Sequence, residues 1–159
     1  MFTTMNKNLK RFLCVLLTLS IGTISGIATS GSIDNWYTTL QKPSFNPPNF
    51  IFAPVWTILY ILMGISLFLI LESENKGARR KAIIVFGVQL FLNFCWSFLF
   101  FKYHLLAFAF IEILLMWFSI LTMIFLFYKI QKTAAYLQIP YLLWVSFASI
   151  LNGAIWYLN

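Results

Sequence analysis

Five long apolar runs, at about 12–29, 50–71, 82–101, 105–127 and 134–157, alternate with short polar islands along the chain. Each is close to the roughly 20 residues with which a helix crosses a hydrocarbon core of about 30 Å. The strands of a membrane β-barrel would read as segments of about ten residues with a period of two, and these runs do not alternate in that way. The pattern predicts an all-α integral membrane protein, a bundle of five transmembrane helices forming one domain over residues 1–159, without an internal repeat or linker. A composition of 61% hydrophobic and 9% charged residues agrees, since a soluble domain carries about 45–50% apolar residues.

The net charge of +7 does not indicate nucleic acid as a partner, because the basic residues form no patch on one soluble face. They report orientation. With loops on alternate sides, nine basic residues (Lys7, Lys10, Arg11, Lys76, Arg79, Arg80, Lys81, Lys129 and Lys132) fall on one side and two (Lys42 and Lys102) on the other. The positive-inside rule then puts the N-terminus in the cytoplasm and the 30–49 loop outside. A competing reading takes the basic start, the apolar stretch from Phe12 and the small residues GIATSGS as a secretory signal peptide, but that apolar stretch is longer than a typical signal core. Gly22 and Gly26, four apart, predict a close contact between helices. Cys14 and Cys95 fall at opposite ends of their helices, too far apart for a disulfide.

The stretch WYTTLQKPSFNPPNFIFAPVWTILYILMG, Trp36 to Gly64, carries the first candidate chemistry. Pro43, Pro47 and Pro48 deny it regular helix up to Asn49, because each removes a donor and restricts the residue before it. Pro54 comes near enough to the next helix start to be tolerated there. Below it Trp56, Tyr60 and Met63 share one helix face, so a shaped loop stands over an aromatic wall. In the third run Gln89, Asn93, Trp96 and Phe100 share a face. An amide in hydrocarbon needs a partner, so Gln89 reads equally as a bond between helices and as a ligand group, while the aromatic neighbours of Asn93 favour the ligand. Glu112 in the fourth run reads as a proton-relay or substrate group, or else as a structural carboxyl, neutral or hydrogen-bonded to a neighbouring helix; the absence of an intramembrane cation favours the structural role. In the fifth run Pro140 predicts a bend, beyond which Tyr141, Trp144, Ala148 and Asn152 share a face on which the small Ala148 leaves room.

Soluble-enzyme chemistry is absent from the motifs. His104 has no ligand at metal-binding spacing, so no metal is expected, and no cofactor or phosphate loop is indicated. The residues alone predict a pocket for flat apolar ligands, with indole and phenyl faces to stack on a planar ring and Asn93 to orient it.

The pattern WYxxLxKPxFxPPxxxFxPVWxxLYxxMG, continued in QLFLNFCWSFLFF, in Glu112 and in AAYLQIPYLLWVSFASILN, resembles the tryptophan-rich sensory protein/translocator protein (TspO) family. The resemblance implies five helices, which argues against the signal peptide. It implies a receptor, sensor or transporter for porphyrins such as protoporphyrin IX and haem-related tetrapyrroles, often as a homodimer in the bilayer. The ligand-binding residues expected on this reading are Tyr37, Pro47, Trp56, Tyr60, Asn93, Trp96, Trp144, Ala148 and Asn152. An alternative of another class is a light- and oxygen-dependent porphyrin-degrading enzyme with Trp56 and Trp144 as its reactive indoles. The sterol motif that follows the last helix in animal members is missing here, and Leu126-Phe127-Tyr128 with Lys132 fits only the loose form of it. Charge asymmetry suggests a bacterial inner-membrane location.

Overall fold

The computed structural model describes residues 6–74 and 76–159, and every described element is helical. In chain order these are α1 (Lys7–Asp34), the single turn α2 (Trp36–Thr39), α3 (Asn49–Leu71), α4 (Lys76–Ser97) continued by a π-turn (Phe98–Lys102), α5 (Leu106–Ile130), the short α6 (Lys132–Tyr136) and α7 (Ile139–Leu158). Five stretches among the described residues are long and apolar enough to span a membrane, α6 and α7 together making the fifth. This is a multi-pass membrane protein.

Several element boundaries differ from the sequence expectation. α1 starts earlier and ends later than 12–29, because Asn6 caps it by accepting the Asn8 N–H at 2.9 Å and the polar residues near its far end do not stop it. Ser30 returns its hydroxyl to the Ile27 carbonyl at 3.0 Å, and the helix ends only where the Asn35 side chain takes the Gly31 carbonyl at 2.9 Å. With α2 added, the expected 30–49 loop shrinks to residues 40–48. α4 begins at Lys76 rather than 82, since its basic residues are good helix formers lying just past the apolar span; Asn75, inside the expected 72–81 loop, lies outside the described residues, as do residues 1–5. Arg79 then reaches back to the carbonyls of Leu71 (2.9 Å) and Ser73 (3.0 Å), supplying donors that the C-terminus of α3 lacks. Pro140 breaks the fifth run instead of bending it: it occupies the first turn of α7, where its missing N–H costs nothing. Pro54 stands in the second turn of α3, so the Phe50 carbonyl loses its helical donor at that exposed end.

The core follows from shape as much as from apolarity, because lipid tails are as apolar as leucine and only close packing holds helices together. Met63 and Ile70 of α3 meet Met116, Ile120, Met123 and Phe127 of α5 and Val145 of α7, all fully buried. Gly64 marks the closest backbone approach: a Cβ there would collide with the backbone of Val15 on α1. Gly22 lies against the Tyr60 ring, whereas Gly26 has open space beside it, so the expected contact through both glycines is made by one of them. Phe108, Ile111, Leu115, Phe118 and Phe125 project from α5 into the surroundings, as suits a lipid-facing helix. Cys14 is buried, Cys95 is half-buried, and both are free thiols.

At the end of the bundle carrying the N-terminus, Glu72 pairs with Lys10 and, at 3.8 Å, with Lys7. The hydrogen bond from Lys10, helped by the charges of Lys10, Lys7 and Arg79, holds this carboxyl below the ordinary carboxylate range.

Candidate functional site

α3, α4 and α7 separate toward the end of the bundle that carries α2 and the 40–48 loop, and together with α1 they enclose a cavity of about 540 Å³. Tyr37, Trp56, Tyr60, Asn93, Trp96, Trp144, Ala148 and Asn152 all lie on its wall. Pro47 does not; its carbonyl accepts the Asn46 amide at 3.0 Å, and the chain rejoins the wall only at Asn49 and Phe50. The roof is therefore Tyr37 of α2, buried and donating its phenol to the Asn46 side chain at 2.8 Å. Burial pushes the Tyr37 phenol up to about 12, so it stays neutral and keeps that bond across ordinary pH. The loop is tied to the far end of α7, where Asn159 and the Gln41 backbone exchange two hydrogen bonds, each 3.0 Å.

The polar groups of the wall are held in place by one another. Tyr60 donates its phenol to the Asn93 oxygen, Asn93 donates to the Tyr141 phenol at 3.2 Å, and Tyr141 donates to the Met116 sulfur at 3.5 Å. A second link joins Trp96 to Asn152 at 3.1 Å, and Asn152 in turn donates to the Leu106 carbonyl at 3.2 Å. Such mutual satisfaction fixes the rotamers before any ligand arrives and leaves Asn93 with spare capacity for one donor and one acceptor bond. Trp144 differs: its indole N–H has no partner among the described residues. Its ring is held edge-on by Phe52, with centroids 5.9 Å apart, and leans on Phe147 at 5.6 Å.

Two parts of the wall were not signalled by sequence. α1 contributes Gly22, Ser25, Gly26, Thr29 and Ile33, a stripe whose small residues read from sequence as helix packing. The π-turn adds Phe101 beside the expected Phe100, with ring centroids 4.8 Å apart, and nothing in FLFFK marks a π-turn. Conversely, Gln89 and Glu112 are buried off the wall, and neither side chain has a hydrogen-bond partner among the described residues. Gln89 is thus neither of the two things its position suggested, and the neighbouring-helix bond considered for Glu112 is not formed. Met63 lies in the core below the cavity floor. His104 takes a left-handed backbone conformation with φ of 58° and stacks on Trp36 at 3.9 Å.

No charged side chain lines the cavity, and no cluster of metal-ligating groups occurs, among the described residues. The arrangement suits binding: a chamber with aromatic faces and a few fixed amides fits flat, largely apolar molecules, and its volume lies within the roughly 300–1,000 Å³ of small-molecule sites.

Comparison with known proteins carries the same pattern across the chain. The family model described as TspO/MBR family matches residues 14–158. The tryptophan-rich protein TspO of Chlorobaculum tepidum is 40% identical over 157 residues, covering 98% of this chain and 99% of that one. The translocator protein of Homo sapiens is 36% identical over 124 residues, 76% of this chain and 73% of that one. The tryptophan-rich sensory protein of Cereibacter sphaeroides is 33% identical over 128 residues, 79% of each. Matched almost from end to end, this chain belongs to the TspO/MBR family.

Proposed function

We propose that this protein is a membrane receptor, sensor or transporter that binds tetrapyrroles, such as protoporphyrin IX and haem-related compounds, and similar flat apolar ligands in the cavity below α2. The observation that carries the reading is the pairing of a chamber of about 540 Å³ with walls of Trp56, Trp96, Trp144 and Phe100 and no charged lining residue among those described. A planar macrocycle gains area burial on both faces there, and stacking on each ring adds about 0.5–1.5 kcal/mol. The names sensory protein and translocator protein borne by relatives agree with a binding role. Titrating protoporphyrin IX into purified protein while following tryptophan emission tests it: saturable quenching with one site per chain supports the reading, and emission that falls only in proportion to added porphyrin sinks it.

A second reading, degradation of porphyrin in light and oxygen, is favoured by one feature: Trp56 and Trp144, two oxidisable indoles, border the same chamber, and the Trp144 N–H is unpartnered. Illumination with bound protoporphyrin would then generate a bilin-like absorption band that Trp56→Phe or Trp144→Phe removes. We further propose one TspO-like domain over residues 1–159, acting as a homodimer in a bacterial inner membrane with its N-terminus in the cytoplasm, the side on which nine of eleven basic residues fall.

A further inference from the structure

α1 and α3 run antiparallel and meet most tightly at one end. There Gly64 lies on the Val15 backbone, Thr18 donates to the Tyr60 carbonyl at 2.7 Å, and one turn on Gly22 accepts the Tyr60 ring. Beyond Gly22 both helices border the cavity instead. In this register each step along α1 is matched by a step back along α3, which brings Thr23 to the level of Thr57 and Gly26 to that of Ala53. All four line the cavity and all four are exposed. A Cβ on Gly26 would meet nothing within 4 Å. Residues that are both wall and surface mark a mouth, and this mouth is on the flank of the bundle. Gly26 and Ala53 both fall within the apolar spans Lys7–Ile33 and Asn49–Leu71, so the mouth opens on the flank of those spans and not at the capped end of the bundle.

The roof, in contrast, is fastened. Its Tyr37 is buried, Lys42 lies over the Tyr37 ring at 4.7 Å, Phe45 leans on Phe147 at 6.4 Å, and the paired bonds between Gln41 and Asn159 anchor the loop to α7. We propose that the cavity is loaded sideways from the bilayer leaflet on the α2 side, through the opening between α1 and α3, by planar apolar molecules already dissolved in lipid. The uncharged lining fits that source, since a ring system can slide in from hydrocarbon while any carboxylates at its edge stay at the level of the headgroups. The proposal rests on the reading of the cavity as a ligand site.

The test uses the full chain in lipid nanodiscs. Gly26→Phe and Ala53→Phe narrow the mouth, and protoporphyrin IX delivered from donor vesicles should then bind and leave more slowly, both rates falling by about tenfold, because a narrowed passage slows entry and exit alike. Asn159→Ala, which unfastens the roof, should leave both rates as they are. Faster exchange in Asn159→Ala with wild-type rates in Gly26→Phe would mean loading through the roof and overturns the proposal. A ligand-free measurement separates this from failure of the binding reading itself. In bilayers of phosphatidylcholine brominated along its acyl chains, tryptophan emission of Gly26→Phe should be quenched less than that of wild type, because bromine no longer reaches the indoles of the cavity. Equal quenching in the two overturns the lipid-facing mouth whether or not protoporphyrin binds.

Discussion

Trp96 on α4 donates its indole N–H to the side-chain oxygen of Asn152 on α7, 3.1 Å away, and so ties together two helices whose backbones do not pack extensively against one another. With the Asn93–Tyr141 bond, which leaves α4 one turn deeper, it fixes the spacing of those helices along the cavity wall. Hydrogen bonds between membrane helices contribute about 0.6 kcal/mol on average, with a maximum of about 1.7, and one that also spans a cavity belongs toward the upper part of that range. A double-mutant cycle with Trp96→Phe and Asn152→Ala should return a coupling of about 1 kcal/mol in unfolding free energy; additivity would show that the link is incidental.

Ligand affinity should depend on the indoles according to where they stand. Trp56→Ala and Trp144→Ala each remove a stacking face and its buried area, so protoporphyrin binding should weaken by about tenfold or more, one decade being about 1.4 kcal/mol. Trp156 is exposed and leans on Phe110 away from the cavity, so Trp156→Ala should bind as wild type does. Equilibrium titrations of the three folded variants settle the order, and a larger loss at Trp156 would move the site elsewhere.

How far sequence reached is clearest by comparing α3 with α1. On α3 the spacing of Trp56 and Tyr60 reveals a cavity face, because two large amphipathic rings on one stripe have few other uses in hydrocarbon. On α1 the wall is built from Gly22, Ser25, Gly26 and Thr29, and small residues in a membrane helix read alike whether they admit a neighbouring helix or a ligand. Only the position of Tyr60 against Gly22, and of empty space against Gly26, separates the two. Helix existence was legible throughout because apolar length decides it. Helix ends were not, since Ser30 and Lys76 are polar yet helical, and neither hydropathy nor charge limits a helix once it has left the bilayer. Pro47 reads as a site residue through its neighbours in the loop, whereas its place relative to the cavity is set by the loop's anchors, here Asn46 on Tyr37 and Gln41 on Asn159.

The unequal roles of the glycines give a stability test. Gly64→Ala places a methyl group against the Val15 backbone, which has no rotamer with which to yield, so about 1–3 kcal/mol of destabilisation is expected. Gly26→Ala meets only open space and should leave the thermal midpoint in detergent at its wild-type value or slightly above it. Equal losses at the two positions would mean that α1 and α3 pack differently from the arrangement described.

At the other end of the bundle the Glu72 cluster sets a pH dependence. Its carboxyl is held low, so it favours the folded state above the unfolded carboxylate pKa of about 4.3, and that contribution disappears as pH falls through the lower folded value. The difference in thermal midpoint between wild type and Glu72→Gln should therefore be present at neutral pH and vanish in acid. A difference that grows on acidification contradicts the assignment.

Orientation can be read directly. Reporters joined after Asn159 should register as extracytoplasmic, and reporters inserted in residues 72–81 as cytoplasmic, following the nine-to-two division of basic residues. The reverse pair of readings would turn the molecule over and put the mouth of the cavity in the opposite leaflet.

The π-turn at Phe98–Lys102 makes the residue count of that helix part of the cavity's architecture. Its i+5 bond, from the Tyr103 N–H to the Phe98 carbonyl at 2.9 Å, takes up one residue more than an α-turn would, and in that wider loop Phe100 and Phe101 both reach the same chamber. Loss of any one of the five residues would let the segment close into ordinary α-helix, in which neighbouring side chains stand about 100° apart and two successive rings no longer reach the same chamber. Shortening the chain by a single position, without touching an indole or an amide, would thus swing an aromatic ring out of the wall, while a substitution among the same residues leaves the frame standing. Along this helix, the shape of the chamber would answer to insertion and deletion as well as to exchange of side chains.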